Sequence, residues 1–68
     1  MTYNAGLCLM LGGTLQASYE GATIEAETLP DAVRRAKEWT ASVEVAEKSW
    51  LQVLHKGKSL ASFKPGEF

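Results

Sequence analysis

Three basic side chains, Arg34, Arg35 and Lys37, lie within the single stretch TLPDAVRRAKEWT. A helix that carries clustered arginine and lysine is a common means of holding nucleic-acid phosphates. Asp31, however, precedes Arg35 by four residues, and Glu38 follows the other arginine at the same helical spacing. Such pairs of opposite charge lower the positive potential that a phosphate would meet. The spacing therefore favours a solvated helix surface.

A second basic group, Lys56 and Lys58, flanks Gly57 in the turn-like stretch HKGK. Together with Arg34 and Lys37 of the first stretch, these lysines are the candidate contacts for nucleic acid. No aromatic residues interleave them, as they do in proteins that bind single strands by base stacking. Lysines at a loop tip also discourage unwanted pairing of strand edges. Nucleic-acid binding is therefore the alternative function and not the favoured one.

Residue types suited to catalysis or metal binding are sparse. His55 is the only histidine and Cys8 the only cysteine, so one chain cannot supply the four ligands of a structural zinc site. Cys8 lies inside the apolar run LCLML, where a buried thiol is a poor nucleophile. Glu25 and Glu27 share one side of an extended segment, with nothing nearby to hold a substrate. The sequence predicts no enzymatic activity, no cofactor and no metal.

The chain of 68 residues fits one small domain, with 46% hydrophobic residues, 22% charged residues and a net charge of −1. That charge creates no field to attract DNA or an acidic membrane surface. The run LCLML is too short to span a bilayer and lacks the features of a signal peptide, so no membrane association is predicted. A lone cysteine in an apolar run fits a reducing compartment, and we expect a cytoplasmic protein.

Charge is unevenly distributed along the chain. Residues 1–30 carry three acidic side chains and no basic one, giving −3, whereas residues 31–68 carry seven basic and five acidic side chains, giving +2. This asymmetry either reflects chance or supports complementary docking of two copies. Because one cysteine permits no disulfide within the chain, oligomerisation remains a way for so short a chain to gain stability.

The N-terminal part of the chain predicts a hairpin. The apolar run at 5–11 indicates an interior strand, and the alternating stretch at 14–19 indicates a more exposed one. Gly12 and Gly13 suit a two-residue hairpin turn, because glycine accepts the positive φ that such turns demand. The expected cross-strand pairs are Met10 with Leu15 and Cys8 with Ala17. Residues 22–26 indicate either a third strand or an extended lead-in to a helix.

A helix is predicted to begin at TLPD. Thr28 suits the N-cap, Asp31 can reach back towards it, and Pro30 is tolerated in the first turn. Apolar residues then recur at spacings of three and four, which predicts a stripe that covers a sheet. The stripe consists of Leu29, Ala32, Val33, Ala36, Trp39 and Val43. No glycine or proline stops the helix early, and its end is predicted between residues 41 and 47.

The stretch WLQVLHKGKSLASF predicts a second hairpin, with a three-residue loop at residues 56–58. The expected pairs are Leu51 with Phe63 and Val53 with Ala61. The elements together predict an α+β fold of order ββαββ, a four-stranded, mainly antiparallel sheet of two hairpins with one α-helix on one face. Residues 64–68 are predicted to form a frayed tail of the domain 1–68.

One helix covers only one face of such a sheet, so the other face is expected to be bare. If Leu51 and Val53 point towards the helix, an apolar patch with a tryptophan faces away from it, which is typical of a protein-binding surface. The patch is predicted to contain Trp50, Leu54, Leu60, Leu7 and Leu9. We therefore expect a non-enzymatic protein-interaction module that binds a protein partner or a second copy. An error of one residue in the register, or a tail folded over the patch, would remove it.

The stretch GATIEAETLPDAVRRAKEWTAS resembles the strand–helix junction of HicB-like antitoxin domains, in which "[DE]TLxEAxxxAKE" leads into the covering helix. The resemblance covers about a third of the chain, and implies an antitoxin-like accessory role as part of the nucleic-acid alternative. This chain has a further hairpin in place of an appended DNA-binding element. The whole ββαββ plan, with the final hairpin WLQVLHKGKSLASF, is similar to small bacterial proteins in families of unknown function. That second resemblance implies a fold and no activity.

Overall fold

The chain folds into one helix and an antiparallel, curled sheet. The structure is a computed structural model that describes all 68 residues. The elements are β1 (Thr2–Leu11), β2 (Thr14–Leu15), β3 (Glu20–Glu25), α1 (Leu29–Thr40), β4 (Ser49–His55) and β5 (Lys58–Phe63). The α+β class and the helix between two hairpins are as predicted, but a fifth strand is present because β2 and β3 are separate.

Strand β1 is the centre of the sheet, since one of its edges pairs with β4 and the other pairs with β2 and then with β3. Gly12 and Gly13 have φ angles of 59° and 81°. These angles make the predicted tight turn and place Met10 opposite Leu15. The first strand begins at Thr2, three residues before the predicted start.

The predicted strand at 14–19 is wrong beyond Leu15. After Gln16 the chain leaves the ladder, and the Tyr19 N–H returns to it by donating to the Leu7 carbonyl at 2.9 Å. Leu7 then stands opposite Glu20, a shift of two residues from the hairpin register. The expected pair of Cys8 with Ala17 is therefore absent. Two extra residues on one strand form a bulge, and the segment 16–19 is called the bulge segment below.

The second hairpin has the predicted core register, Leu51 opposite Phe63 and Val53 opposite Ala61. Its loop is shorter than expected, because His55 pairs with Lys58 and leaves only two residues in the turn. The pairing shifts after Val53, so that Leu60 is an extra residue in β5. A bulge in this edge strand absorbs the residue that the predicted three-residue loop would have held.

Helix α1 begins as predicted, with the Thr28 hydroxyl accepting the Asp31 N–H at 3.3 Å. It ends at Thr40, one residue before the predicted interval. Hydroxyl groups explain the early end, because Thr40 Oγ1 donates to the Lys37 carbonyl at 2.6 Å and Ser42 Oγ donates to the Trp39 carbonyl at 2.8 Å. These bonds satisfy carbonyls that further helical turns would otherwise have used.

The core lies between α1 and one face of the sheet. Ala32 and Ala36 have no exposed surface, so the helix backbone lies close to the strands. The buried core residues are Tyr3, Ala5, Leu7, Ile24, Ala26, Ala32, Ala36, Leu51 and Val53. Every residue of the predicted helix stripe is part of this core or packs against it. Phe68 also packs against it, beyond a turn in which Glu67 N–H donates to the Lys64 carbonyl at 3.0 Å.

Candidate functional site

The face of the sheet opposite α1 carries alternate residues of the two central strands, and is called the helix-free face. It consists of Asn4, Gly6, Cys8 and Met10 of β1 and Trp50, Gln52 and Leu54 of β4, which pair across the two strands as Asn4–Leu54, Gly6–Gln52 and Cys8–Trp50. Trp50 and Leu54 are half-buried, and Met10 is 38% exposed. None of these seven side chains is charged.

Two of the five residues predicted for the apolar patch lie elsewhere. Leu7 is fully buried and belongs to the core beneath α1, so its predicted placement on the bare face is wrong. Leu9 alternates with it and shares that side of the sheet, where it is half-buried opposite Ser49. Trp50 and Leu54 occupy the predicted face. Leu60 is 41% exposed at the β5 bulge. The patch is therefore smaller and more polar than expected.

The bulge segment covers part of the helix-free face. Ser18 lies over Gly6, and a Cβ atom at that glycine would stand only 2.3 Å from Ser18 Oγ. The same hydroxyl lies 3.5 Å from Cys8 Sγ, and Gln52 Oε1 lies 3.9 Å from the sulfur on its other side. Cys8 is 1% exposed, with these two polar atoms close to its sulfur. It is enclosed on a face that no regular element covers.

A shallow depression of about 560 Å³ lies beside Ser18 on this face. It is lined by Asn4, Ala5, Ser18, Gly21, Ala22, Thr23 and Leu54. Gly21 is opposite Gly6, and the absence of side chains on both strands leaves backbone at the floor. The position of Ser18 over Gly6 was not predicted, because alternation along 14–19 assumes an unbroken strand.

A second depression, of about 550 Å³, lies where the helix end, the connection to β4 and the C-terminal tail meet. Tyr19 of the bulge segment holds one rim through a closed set of hydrogen bonds. Its hydroxyl lies 2.6 Å from Ser49 Oγ and accepts the Ala46 N–H at 3.0 Å, while Ser49 Oγ donates to the Ala46 carbonyl at 2.6 Å. These hydrogen bonds connect the first hairpin to the start of β4, and no pattern in the sequence predicts them.

The arginines of α1 are paired as the spacing predicted. Arg34 donates to Glu38 at 3.1 Å, and Arg35 donates to Asp31 at 3.2 Å. Asp31 also accepts from Arg34 one helical turn away, instead of reaching back to the N-cap. This hydrogen bond lowers the pKa of the Asp31 carboxyl and raises the pKa of the Arg34 guanidinium. Both arginines are thus already neutralised by carboxylates of the same helix.

The other candidate nucleic-acid contacts stand apart. Lys37 Nζ lies 4.4 Å from the centre of the Phe63 ring at the end of β5. Lys58 begins the same six-residue strand, and Lys56 lies in the turn before it. At about 3.3 Å per residue, the two ends of β5 are about 17 Å apart. The structure does not gather Arg34, Lys37, Lys56 and Lys58 into one basic surface.

The residues considered for catalysis are engaged in the fold. His55 Nδ1–H donates to the Thr2 carbonyl at 2.9 Å, and its ring centre lies 5.2 Å from that of Tyr3. Glu25 accepts the Thr2 hydroxyl at 2.6 Å. No three side chains among the histidine, cysteine, aspartates and glutamates converge where they could hold a metal ion.

Comparison with known proteins finds no matching family model, no matching curated protein and no matching solved structure. The single helix is not long and apolar enough to cross a membrane. The geometry of the helix-free face is therefore the most informative guide to function.

Proposed function

We propose that the protein is a non-enzymatic interaction module that binds a second copy of itself through the helix-free face. The observation that carries the proposal is the position of Trp50 and Leu54, which are half-buried and lie on either side of Gln52 on the face of β4 that no helix covers. Tryptophan is one of the residue types enriched at the energetic centre of protein interfaces.

The lack of charge on this face favours a second copy as the partner. A two-fold interface opposes each surface patch to itself, so that any charge near its centre meets a like charge. The seven residues of the helix-free face carry no charge; on the same side of the neighbouring strand β3, the Glu25 carboxylate lies opposite Thr2 at the edge and accepts its hydroxyl hydrogen bond. The outer surface of α1, by contrast, carries Asp31, Arg34 and Glu38. Of the two large surfaces, only the helix-free face can therefore oppose a second copy of itself without bringing like charges together at its centre.

The size of the molecule also fits. Its principal extents are 34, 23 and 17 Å, so a dimer that buries the roughly 800 Å² per partner of a standard interface would use most of one broad face. A chain of 68 residues with one cysteine has no disulfide to support its core. Small domains often gain that support from a partner chain.

The absence of catalysis is part of the proposal. It is supported by the hydrogen bond that His55 donates to the Thr2 carbonyl and by the burial of Cys8, since a catalytic base or nucleophile must be free to reach a substrate.

The test uses Trp50 as its own reporter. The substitution Trp39→Phe leaves Trp50 as the only tryptophan, and we expect its emission to shift to shorter wavelength as sedimentation shows monomer converting to dimer. Leu54→Lys should abolish both changes, because it buries a charge in the interface. Leu11→Lys is the matched control, since Leu11 is 62% exposed at the tip of the first hairpin. If the protein is a monomer at all concentrations and the Trp50 emission does not shift, the proposal is wrong.

A further inference from the structure

Two outer strands of the sheet, β3 and β5, have unpaired edges of opposite charge. Strand β3 pairs only with β1, and β5 pairs only with β4, so each has one edge whose backbone groups bond to no other strand. The β3 edge and the residues after it carry Glu20, Glu25 and Glu27. The β5 edge and its flanks carry Lys56, Lys58 and Lys64. All six side chains belong to exposed residues.

None of these six charges has an ion-pair partner within the chain. The only ion pairs are those of α1, among Asp31, Arg34, Arg35 and Glu38. Glu25 accepts a hydroxyl hydrogen bond, and the Glu67 carboxylate accepts the Lys64 backbone N–H at 2.6 Å, which offsets part of the positive charge at that end. The charged side chains of α1 thus pair with each other, whereas the charged side chains of the two edges are free to pair with charges on another molecule.

We propose that copies of this protein associate head to tail, with β5 of one copy pairing with β3 of the next. The strand directions permit it. Because β1 is antiparallel to both β3 and β4, and β4 is antiparallel to β5, strand β5 runs opposite to β3. A second copy in the same orientation places its β3 antiparallel beside β5 and keeps all helices on one side of a continuous sheet. Edge pairing of this kind uses the backbone groups of both strands.

Charge selects this arrangement over the two symmetric ones. Pairing β5 with β5 brings lysines against lysines, and pairing β3 with β3 brings glutamates together, and like charges across strands are destabilising. An antiparallel β5–β3 pairing instead places the lysine-bearing edge along the glutamate-bearing edge, with the Lys58 end beside the Glu25 end and the Lys64 end beside Glu20. By the pairing registers the two members of each Lys–Glu combination lie on opposite faces of the sheet, so the attraction is between the edges as wholes and not between cross-strand pairs. The contact is heterologous and leaves an acidic edge free at one end and a basic edge at the other. Assembly therefore continues into a chain of copies or closes into a ring.

Salt is the first test, measured by sedimentation of the intact protein. We expect larger species at about 20 mM salt, and an apparent Kd at least about tenfold weaker at about 500 mM, where the Debye length is only about 4 Å. The proposed dimer through the helix-free face has no charge at its centre and should not respond in this way. An average mass that does not change with salt would overturn the edge proposal and leave the face dimer untouched.

Charge reversal is the second test. The double variant Lys58→Glu with Lys64→Glu has two acidic edges, and Glu20→Lys with Glu25→Lys has two basic edges. We expect neither variant to assemble alone and their mixture to recover assembly. Glu44→Lys with Glu47→Lys, which changes the net charge equally in the connection after α1, is the control and should behave as the wild type. Circular dichroism establishes that each variant is folded. Assembly of either reversed variant alone, or no recovery on mixing, would overturn the proposal.

Discussion

On the side that α1 covers, the sheet buries Leu7, Leu51 and Val53 completely, whereas on the helix-free face Cys8 is the only side chain buried to that extent. The covered side is filled by aliphatic side chains packed against the small alanines of the helix. The other side is closed by Ser18, which lies over Gly6 and Cys8. One face is thus held by apolar burial, and the other by a close backbone approach and polar contacts.

This difference means that the residues that stabilise the fold lie on one face of the sheet, and that the residues available for binding lie on the other. Buried apolar surface is the largest favourable contribution to folding, and the cluster of nine buried core residues lies between the sheet and α1. Substitutions on the helix-free face should therefore lower the free energy of unfolding only modestly. A surface that meets this condition can be used for binding.

Neighbouring leucines of β4 on opposite faces give the strongest test. We expect Leu51→Ala to lower the free energy of unfolding by about 2–5 kcal/mol, because it leaves a cavity in the core. A domain of this size has a total of only about 3–10 kcal/mol, so this variant is expected to be largely unfolded. Leu54→Ala should cost about 1 kcal/mol, since half-buried side chains lose less. Urea denaturation of both variants measures the difference, and equal losses would contradict the contrast between the faces.

The paired glycines of the helix-free face give a smaller effect. Gly6→Ala should cost about 1–2 kcal/mol, because the new methyl group meets Ser18. Gly21→Ala is the matched control on the opposing strand, where an added Cβ would lie 3.4 Å from the nearest atom, the Ala5 carbonyl oxygen. Combining Gly6→Ala with Ser18→Gly should recover most of the loss, as a double-mutant cycle would show. If both alanine variants unfold at the same urea concentration, Ser18 does not close this face.

The smallest effect is expected on the outer surface of α1. The Arg34 hydrogen bond lowers the pKa of Asp31 in the folded state. Its contribution to stability is therefore present above the unfolded pKa, which is about 4, and is lost as the pH falls through the lower folded pKa. Wild type should be slightly more stable than Asp31→Asn near neutral pH, and the difference should vanish in acid. Thermal unfolding at several pH values measures it, and a constant difference would refute the assignment.

Local signals predicted most of the fold. The N-cap at Thr28, the glycine turn after β1 and the core register of the second hairpin each depend on residues close together in the chain, and each is present. The side of β1 that faces the helix was assigned wrongly, because Leu7 and Cys8 are both apolar. Its first residues held the missing signal, since Tyr3, Ala5 and Leu7 alternate with polar Asn4 and with Gly6.

The candidate site was less accessible to sequence reasoning. Trp50 and Leu54 were placed correctly, since alternation fixes them once Leu51 is in the core. The bulge segment could not be foreseen, because its cause is a contact of Ser18 with β1 and a bond from Tyr19 to the start of β4, 30 residues further on. The sequence shows the opposite charges of the two edges only as a difference in net charge between the two halves of the chain. It does not show which strands lie at the edges of the sheet, because the pairing of the strands decides that.

The central position of β1 also has a consequence for biosynthesis. The strand is synthesised before the other strands of the sheet, but β4, which covers its second edge, follows almost 40 residues later. At about 5–20 residues per second, a ribosome needs several seconds to supply that partner. During this time the nascent hairpin presents the open edge of LCLML to every other chain in its surroundings. We therefore expect a chaperone to bind the newly made N-terminal hairpin more strongly than the folded protein.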